Sequence, residues 1–458
     1  MTLRDLLVIG LPITALVVFA FWAAYQFVQP APPHELVIST GAPDGSYHSF
    51  AARYREIFAR NHIELVLEPS AGAVENLRRL LDPHAAVDVG FVQGGIARGK
   101  ETPNLVSLGM IYPEPLWLFY RRPATAGAAK PAIGSLDQLS GKRIAIGPEG
   151  SGTRMLALEL LEAHGVSAAP TVLSPLSGIP AAQALADGDI DAAFMVGAAQ
   201  SGAVWTALYT PGIELFSFTQ AEAYVRRLPF LSVLTLPRGA IDLQRNIPDR
   251  DILLISPKAM LVAKKDTHPA LIDLLLQAAT EVHGNAGLFQ KAGDFPTPKG
   301  SEIPLSKEAE RYYTSGRPFL QRYLPFWAAT LVDRLIVMLV PVIAILIPLM
   351  KIAPYLYSFR VRSRVFRYYG ELKLLELQAE QAPDSRTPQQ WLAEVDRIET
   401  AAHRIPTPTA FADQVYTLRS HVHMVRGALL RRFAMAANKT GVETGSRQDV
   451  QPAKTQSS

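Results

Sequence analysis

Leu36-Val-Ile-Ser-Thr40, Gly41-Ala-Pro-Asp-Gly45 and Ser46-Tyr-His-Ser-Phe50 follow one another directly, and the reading of this stretch decides the fold. The first five residues suit a buried strand, and the next five are turn formers. Tyr47, Phe50, Tyr54, Ile57 and Phe58 then recur at helical period, which predicts a helix over 46–60. Strand, glycine loop and helix start together make a place for an anion. Free backbone N–H groups and the positive end of the helix dipole face whatever sits there.

The same construction recurs at Arg143-Ile-Ala-Ile-Gly147, followed by Pro148-Glu-Gly-Ser-Gly152 and a predicted helix over 153–164. A third terminus is Ser70-Ala-Gly-Ala73, opening a helix over 74–81. Glycine loops before helices are common, so their recurrence carries more than any one of them. There is also an internal echo. Glu75-Asn-Leu-Arg-Arg-Leu-Leu precedes Val87-Asp88-Val-Gly-Phe-Val92-Gln93, and Ala181-Ala-Gln-Ala-Leu-Ala precedes Gly188-Asp-Ile-Asp191-Ala-Ala-Phe-Met-Val196-Gly197. Each is a helix, a break, an acid and a buried strand, as two similar α/β lobes would be written. Strands separated by helices imply largely parallel sheets, with ligands at the C-terminal ends of the strands.

About half of the 458 residues are hydrophobic, so a large core can be buried. The net charge of +4 is uneven: from Lys351 onward 16 Lys and Arg face 10 Asp and Glu, a balance of +6, which leaves −2 for the rest. The basic excess belongs to the tail, so composition gives no support to nucleic-acid binding by the whole chain. There is no cysteine, which excludes disulfides, thiolate nucleophiles and Cys-ligated metal sites. No HExxH spacing occurs among the histidines, and His421 and His423 lie on different helix faces, so no metal site or cofactor is expected.

Leu6 to Val28 is uncharged and long enough to cross a bilayer, with Arg4 before it and Trp22, Tyr25 and Phe27 at its far end. A cleaved signal peptide is the rival reading, but Trp22 and Gln26 spoil the Ala-x-Ala registers around Ala20 to Ala24. A second apolar segment runs from Leu335 to Met350, where Pro341 and Pro348 are expected to kink the helix. A buried soluble helix is its rival. Phe319, Tyr323, Phe326 and Trp327 flank it on one side, and Lys351, Arg360, Arg362, Arg364 and Arg367 on the other. Positive charge stays inside, so both termini are expected in the cytoplasm and the intervening domain outside a bacterial inner membrane. Gln29-Pro30-Ala31-Pro32-Pro33 is a stiff spacer beneath that domain.

These residues resemble the solute receptors of tripartite ATP-independent periplasmic (TRAP) transporters, in the TAXI class, in a long-tailed form. The resemblance lies in Ser39-Thr-Gly-Ala-Pro-Asp-Gly-Ser-Tyr47, Ala71-Gly-Ala-Val-Glu-Asn-Leu-Arg78, Gly90-Phe-Val-Gln93, Tyr112-Pro-Glu-Pro-Leu-Trp117, Gly141-Lys-Arg-Ile-Ala-Ile-Gly147 and Gly150-Ser-Gly-Thr153. It continues through Asp191-Ala-Ala-Phe-Met-Val-Gly197 to about Pro318. It implies a type II periplasmic-binding-protein fold, two α/β lobes around a hinged cleft, that takes organic acids or acidic amino acids for a permease driven by an ion gradient. The second membrane span and the tail depart from most members, since a doubly tethered receptor cannot diffuse through the periplasm.

Mapped onto this chain, the resemblance gives an anchor at 1–29, a spacer at 30–35 and a solute-binding domain at 36–318. Lobe one is expected at 36–122 and 230–318, lobe two at 123–229, the second membrane segment at 319–359, a helical cytoplasmic tail at 360–436 and a disordered end at 437–458. The expected ligand contacts are Ser46, Tyr47, Asn76, Gln93, Ser151, Gly152, Thr153 and Arg154. Hydroxyls and backbone donors would hold a carboxylate, and the amides would fix orientation. Bland readings stand beside these: helix capping for Ser151 and Thr153, core packing for Tyr47, and hydrogen bonding within the lobe for Asn76 and Gln93. Arg is the preferred bidentate partner of a carboxylate, and its position is not evident beforehand.

Enzyme readings fail. Gly147 to Gly152 has the outline of a P-loop, but Thr153 and Arg154 stand where Lys and Ser/Thr belong, and Glu149-Gly-Ser-Gly-Thr153 is no nucleophile elbow. In the tail, helices are expected over 365–381, 389–404 and 411–433, with stripes of Leu372, Leu375 and Leu377, then Leu392, Val395 and Ile398, then Phe411, Val415, Leu418, Val422, Val425 and Leu429. They suit a small bundle lying on itself or on membrane lipid, a self-associating coil, or a docking module for a permease subunit or a signalling partner. The function expected is capture of a small anionic solute for a TRAP-type permease. The alternative is a ligand sensor that signals through the second membrane helix, and a structural membrane organiser would leave the site motifs unexplained.

Overall fold

The computed structural model describes residues 3–27, 30–122, 133–404 and 411–445. The chain forms two compact units, one of 30–333 and one that joins 1–29 to 334–458. Its strands are β1 (Glu35–Ser39), β2 (Glu64–Glu68), β3 (Val89–Gln93), β4 (Leu105–Pro113), β5 (Leu116–Arg121), β6 (Arg143–Ala145), β7 (Val172–Ser174), β8 (Ala192–Val196), β9 (Ile213–Leu215), β10 (Ser232–Leu236), β11 (Ile252–Ser256) and β12 (Lys258–Lys264). Its helices are α1 (Leu3–Phe27), α2 (Ser46–Arg60), α3 (Ala73–Leu81), α4 (Gly152–Ala163), α5 (Gly178–Asp187), α6 (Gly202–Tyr209), α7 (Ala221–Arg227), α8 (Pro269–His283), α9 (Lys307–Ser315), α10 (Phe326–Gln381), α11 (Pro388–His403) and α12 (Ala412–Gly445).

In unit 30–333 the strands make two five-stranded sheets, β2-β1-β3-β12-β4 and β7-β6-β8-β5-β9. The helices α2 and α3 follow β1 and β2 just as α4 and α5 follow β6 and β7. The echo in the sequence is therefore a repeat of topology, and one polar device marks it. Asp88 Oδ2 accepts from Val37 N at 2.9 Å in the first lobe, and Asp191 Oδ2 accepts from Arg143 N at 2.8 Å in the second. In each case the acid's own amide donates back to the same residue's carbonyl, Asp88 to Val37 and Asp191 to Arg143. An acid before the third strand thus pins it to the first strand at the sheet's start.

Two expectations need correction. Each sheet has three parallel strands, but β12 and β5 run antiparallel to β3 and β8, and β4 and β9 antiparallel to those, so the sheets are mixed. The chain also changes lobe at Glu114–Pro115 and returns at Pro257, rather than near 122 and 230 (residues 123–132 lie outside the described ones). The apolar run of β5 completes the second sheet. Leu231, Leu236, Ile252, Leu254 and Ile255, on or beside the hairpin β10–β11, pack into the cores of the second lobe. Each sheet is thus completed by a strand arriving from the other lobe, and pairing across lobes leaves no mark in a run of apolar residues.

Helix α10 continues unbroken through Pro341 and Pro348, where kinks were expected, and through Pro354. Its most apolar 18-residue window has a mean hydropathy of 2.7 and is only 6% buried, so nothing among the described residues covers what a soluble core helix would hide. Among the described residues it is the one helix long and apolar enough to cross a membrane; the apolar stretch Gly10–Gln26 of α1 is shorter. Beyond it, Val365, Leu372 and Leu375 of α10, Trp391, Val395 and Ile398 of α11 and Leu418, Val422 and Leu429 of α12 form one buried core. Leu377 faces outward, and Trp391 takes the buried place expected of Leu392. Helix α12 runs on to Gly445, past the expected start of disorder at 437, and 446–458 lie outside the described residues.

Candidate functional site

The first turns of five helices meet in the gap between the lobes. A cavity of about 130 Å³ is lined by Gly45 and Ser46 of α2, Gly72 and Ala73 of α3, Ser151 and Gly152 of α4, Ser177 and Gly178 of α5, and Ser201 before α6. The repeated topology explains the convergence: in both lobes the helix follows the C-terminal end of a strand, and those ends face one another. Tyr47, Gln93 and Thr153 also line this cavity, so six of the eight expected contacts come together.

Their hydrogen bonds decide what each can offer. Ser151 caps α4, its hydroxyl accepting from Arg154 N at 3.2 Å and donating to Pro148 O at 2.8 Å. Thr153 Oγ1 accepts from Val196 N at 3.3 Å. Gln93 reaches across the gap and donates to Gly152 O at 3.4 Å. The Ser46 hydroxyl accepts from Ala198 N of the opposite lobe at 3.1 Å. Cross-lobe capping recurs at α3, where Val74 N and Glu75 N donate to Gly150 O at 3.1 and 3.0 Å. Asp44 does the same for α5, accepting from Ile179 N at 3.4 Å. Glycines let the walls approach this closely. A Cβ on Gly152 would collide with the Gln93 amide, and one on Gly178 with the Asp44 carboxylate.

Asn76 and Arg154 stand outside the cavity lining. Asn76 is fully buried, and all of its polar atoms are used within its lobe. Its oxygen accepts from Ser39 and Ser70 hydroxyls at 2.7 and 2.6 Å, and its nitrogen donates to Thr40 O and Phe91 O at 2.5 and 2.8 Å. That fastens α3 to the ends of β1 and β3, a positioning role. The Arg154 side chain donates to Gly147 O at 3.3 Å within its own loop.

Two residues escaped the sequence reading. Glu114, at the lobe crossover, lines the cavity and is 3% exposed. Its carboxylate accepts from Tyr47 Oη at 3.0 Å and Tyr112 Oη at 3.1 Å. Burial pushes its pKa up to about 8, against the opposing pull of the two tyrosines, so at neutral pH it is an acid with a proton to donate. Burial also raises both tyrosine hydroxyls well above their usual range. The signal was an acid between two prolines inside a long apolar run.

The second is Arg53. A neighbouring cavity of about 410 Å³ shares Asp44, Gly45, Ser46 and Ser201 with the first, and adds Phe50, Arg53, Tyr112, His283 and Phe289. Among the described residues, Arg53 is the only Arg or Lys lining either cavity. Its spacing from Ser46 through Ser49 and Phe50 keeps all four on one face of α2, which the sequence did disclose. Burial holds the His283 pKa down at about 3, so its ring is neutral.

A protein from Bordetella bronchiseptica RB50 matches at 18% identity over 56% of this chain and 72% of its own, with a TM-score of 0.38. The periplasmic aliphatic sulphonate binding protein SsuA from Escherichia coli matches at 16% over 55% and 69%, TM-score 0.33. PhnD1 from Prochlorococcus marinus, in complex with methylphosphonate, matches at 15% over 62% and 98%, TM-score 0.36. Residues 38–315, which span both lobes and every residue of the two cavities, match the NMT1-like family, and the chain belongs to that family.

Proposed function

We propose that the protein is a membrane-tethered receptor that closes its two lobes around a small organic anion, an organic acid or acidic amino acid, and delivers it to a TRAP-type secondary transporter. The observation that carries this is the convergence of five helix N-termini from two lobes on one small cavity. Oriented N–H groups stabilise a carboxylate without a paired cation. The neutral Glu114 acid adds a donor at the cavity wall, and Arg53 offers a guanidinium to a second acidic group in the adjoining cavity. No step of bond chemistry is assigned to the site. The uncovered apolar stretch of α10 supports the membrane tether; with α1 as a second crossing, the binding domain would lie in the periplasm and both termini in the cytoplasm.

A thermal-shift screen of the full-length protein in detergent tests this, using dicarboxylates, keto acids and amino acids. A ligand at a hundredfold excess over its Kd should add about 3 kcal/mol of stability. If a neutral compound raises the melting temperature and no acid does, the anion reading fails.

One observation favours a sensor as the second reading: α10 is a single helix from Phe326 to Gln381, so the membrane stretch and the tail bundle share one rigid element. Deleting 360–458 separates the two. Uptake that survives with regulation lost favours the sensor; uptake lost with a correctly inserted binding domain favours permease docking.

A further inference from the structure

The small cavity between the lobes adjoins a larger one, and the pair together admits a longer molecule than the first alone. The inner cavity, about 130 Å³, is smaller than the roughly 300–1,000 Å³ usual for a ligand pocket, whereas the adjoining one is about 410 Å³. They share Gly45 and Ser46 at the start of α2 and Ser201 before α6, so a molecule occupying both passes two helix starts. Asp44 also lines both. Its carboxylate accepts from Ile179 N at the positive end of α5, which offsets its charge.

The larger cavity carries an aromatic wall for which a small polar acid has no use. Phe50 packs against Tyr112 and the His283 ring, with centroids 4.7 and 4.6 Å apart, and Tyr112 stacks on His283 at 5.3 Å. His283 Nε2 and Tyr54 Oη, 3.0 Å apart, fix the imidazole. Phe289, also in the lining, leans on Trp117 of the second lobe at 6.0 Å. Phe50 and Phe289 are only half-buried, so each leaves part of its ring uncovered in the lining. Such surfaces favour a flat apolar body, through burial and through ring–ring contact.

Arg53 lines the larger cavity and not the smaller. On α2 it follows Ser46 by seven residues, two turns along one face, or about 10 Å of axial rise. Burial first, and then the Arg53 charge, keep the His283 ring neutral, so the guanidinium stands beside the aromatic wall with an uncharged neighbour. Among the described residues no carboxylate pairs with it. An acid group among the helix starts and a second one at Arg53 are thus farther apart than the ends of a succinate.

We infer that the two cavities form one elongated site, whose ligand is a dicarboxylic acid with its acid groups at opposite ends of an aromatic spacer. One carboxylate sits among the helix N-termini, the ring lies against Phe50 and Phe289, and the other carboxylate meets the guanidinium fork of Arg53. This narrows the ligand class of the proposed receptor and rests on its small-anion reading.

Isothermal titration calorimetry on the full-length protein in detergent tests this with 1,4-phenylenediacetate, phenylacetate and succinate. The long diacid should bind about tenfold more tightly than either of the others, since each of them lacks one contact that it makes. Arg53→Gln should cut its affinity about tenfold and erase its advantage over phenylacetate, and Arg53→Lys should keep part of it. Arg53 is exposed, and an unchanged melting temperature without ligand will show that the fold is intact. A diacid advantage that survives Arg53→Gln, or succinate bound as tightly as 1,4-phenylenediacetate, overturns the elongated site and leaves the small-anion reading standing. If none of the three binds, the elongated site falls, and the anion reading falls with it only when the thermal-shift screen of acids is negative as well.

Discussion

The Tyr47 hydroxyl donates to Glu114 Oε2 at 3.0 Å, tying the first turn of α2 to the last residue before the chain crosses between lobes. The Glu114 backbone N in turn donates to Pro257 O at 2.9 Å, so both crossovers and α2 meet at one buried residue. In the proposed receptor, the hinge and the ligand cavity share this titratable group and would be coupled through it.

The first prediction concerns stability. Glu114 titrates at about 8 in the folded protein against an ordinary 4.5. Between those values the unfolded chain has released the proton that the folded one keeps. Stability from this group is therefore greatest below about pH 4.5 and falls as pH rises to about 8, on the order of 1 kcal/mol per unit. Glu114→Gln removes the effect. Its stability relative to wild type, from chemical denaturation, should climb across that window and level off above it; parallel curves would refute the assignment.

Ligand affinity follows the same proton. Below about pH 8 the neutral acid leaves room for an anion, and above it a buried negative charge faces the cavity. Affinity for an acidic solute should fall by up to about tenfold per pH unit past that point, and the fall should vanish in Glu114→Gln. Calorimetric titrations at a series of pH values will show it.

Gly152→Ala should separate closure from folding. The backbone of Gly152 is not left-handed, its helix accepts alanine, and the clash a Cβ would meet is with Gln93 of the other lobe. Melting temperature should stay within a few degrees of wild type while solute affinity drops about tenfold or more, since the lobes can no longer seal. Small-angle scattering should find the liganded variant more open.

Asn76→Ala should do the reverse. It takes an acceptor from the Ser39 hydroxyl and a donor from Phe91 O beneath the cavity, while Ser70 Oγ and Thr40 O keep their bond to each other, at a cost of about 3 kcal/mol. What remains folded should bind solute with nearly wild-type affinity, as Asn76 does not reach the cavity. A large loss of affinity with unchanged stability would return it to the contact set.

Much of the architecture was legible because it is written locally. A strand, a turn-rich loop and an amphipathic helix each need only neighbouring residues, and α2 begins at Ser46 and ends at Arg60 where its apolar period predicts. Asp88 and Asp191 stood out as the acids before two similar strands, and both perform the same hydrogen bonding. Arg53 was visible in principle, two helical turns from Ser46 on the same face of one helix. Glu114 was not, because its high pKa comes from burial contributed by distant segments rather than from its neighbours in sequence.

By itself the sequence determined the two repeated α/β lobes, the glycine-led helix starts and the apolar stretch of α10, since periodicity and turn chemistry act over a few residues. Only the tertiary structure decided where the chain changes lobe, that Ser46 and Ala198 meet across the gap, and that Asn76 lies beneath the cavity instead of in it. Those facts depend on which strands pair and which faces pack, and such partners are chosen by the whole fold.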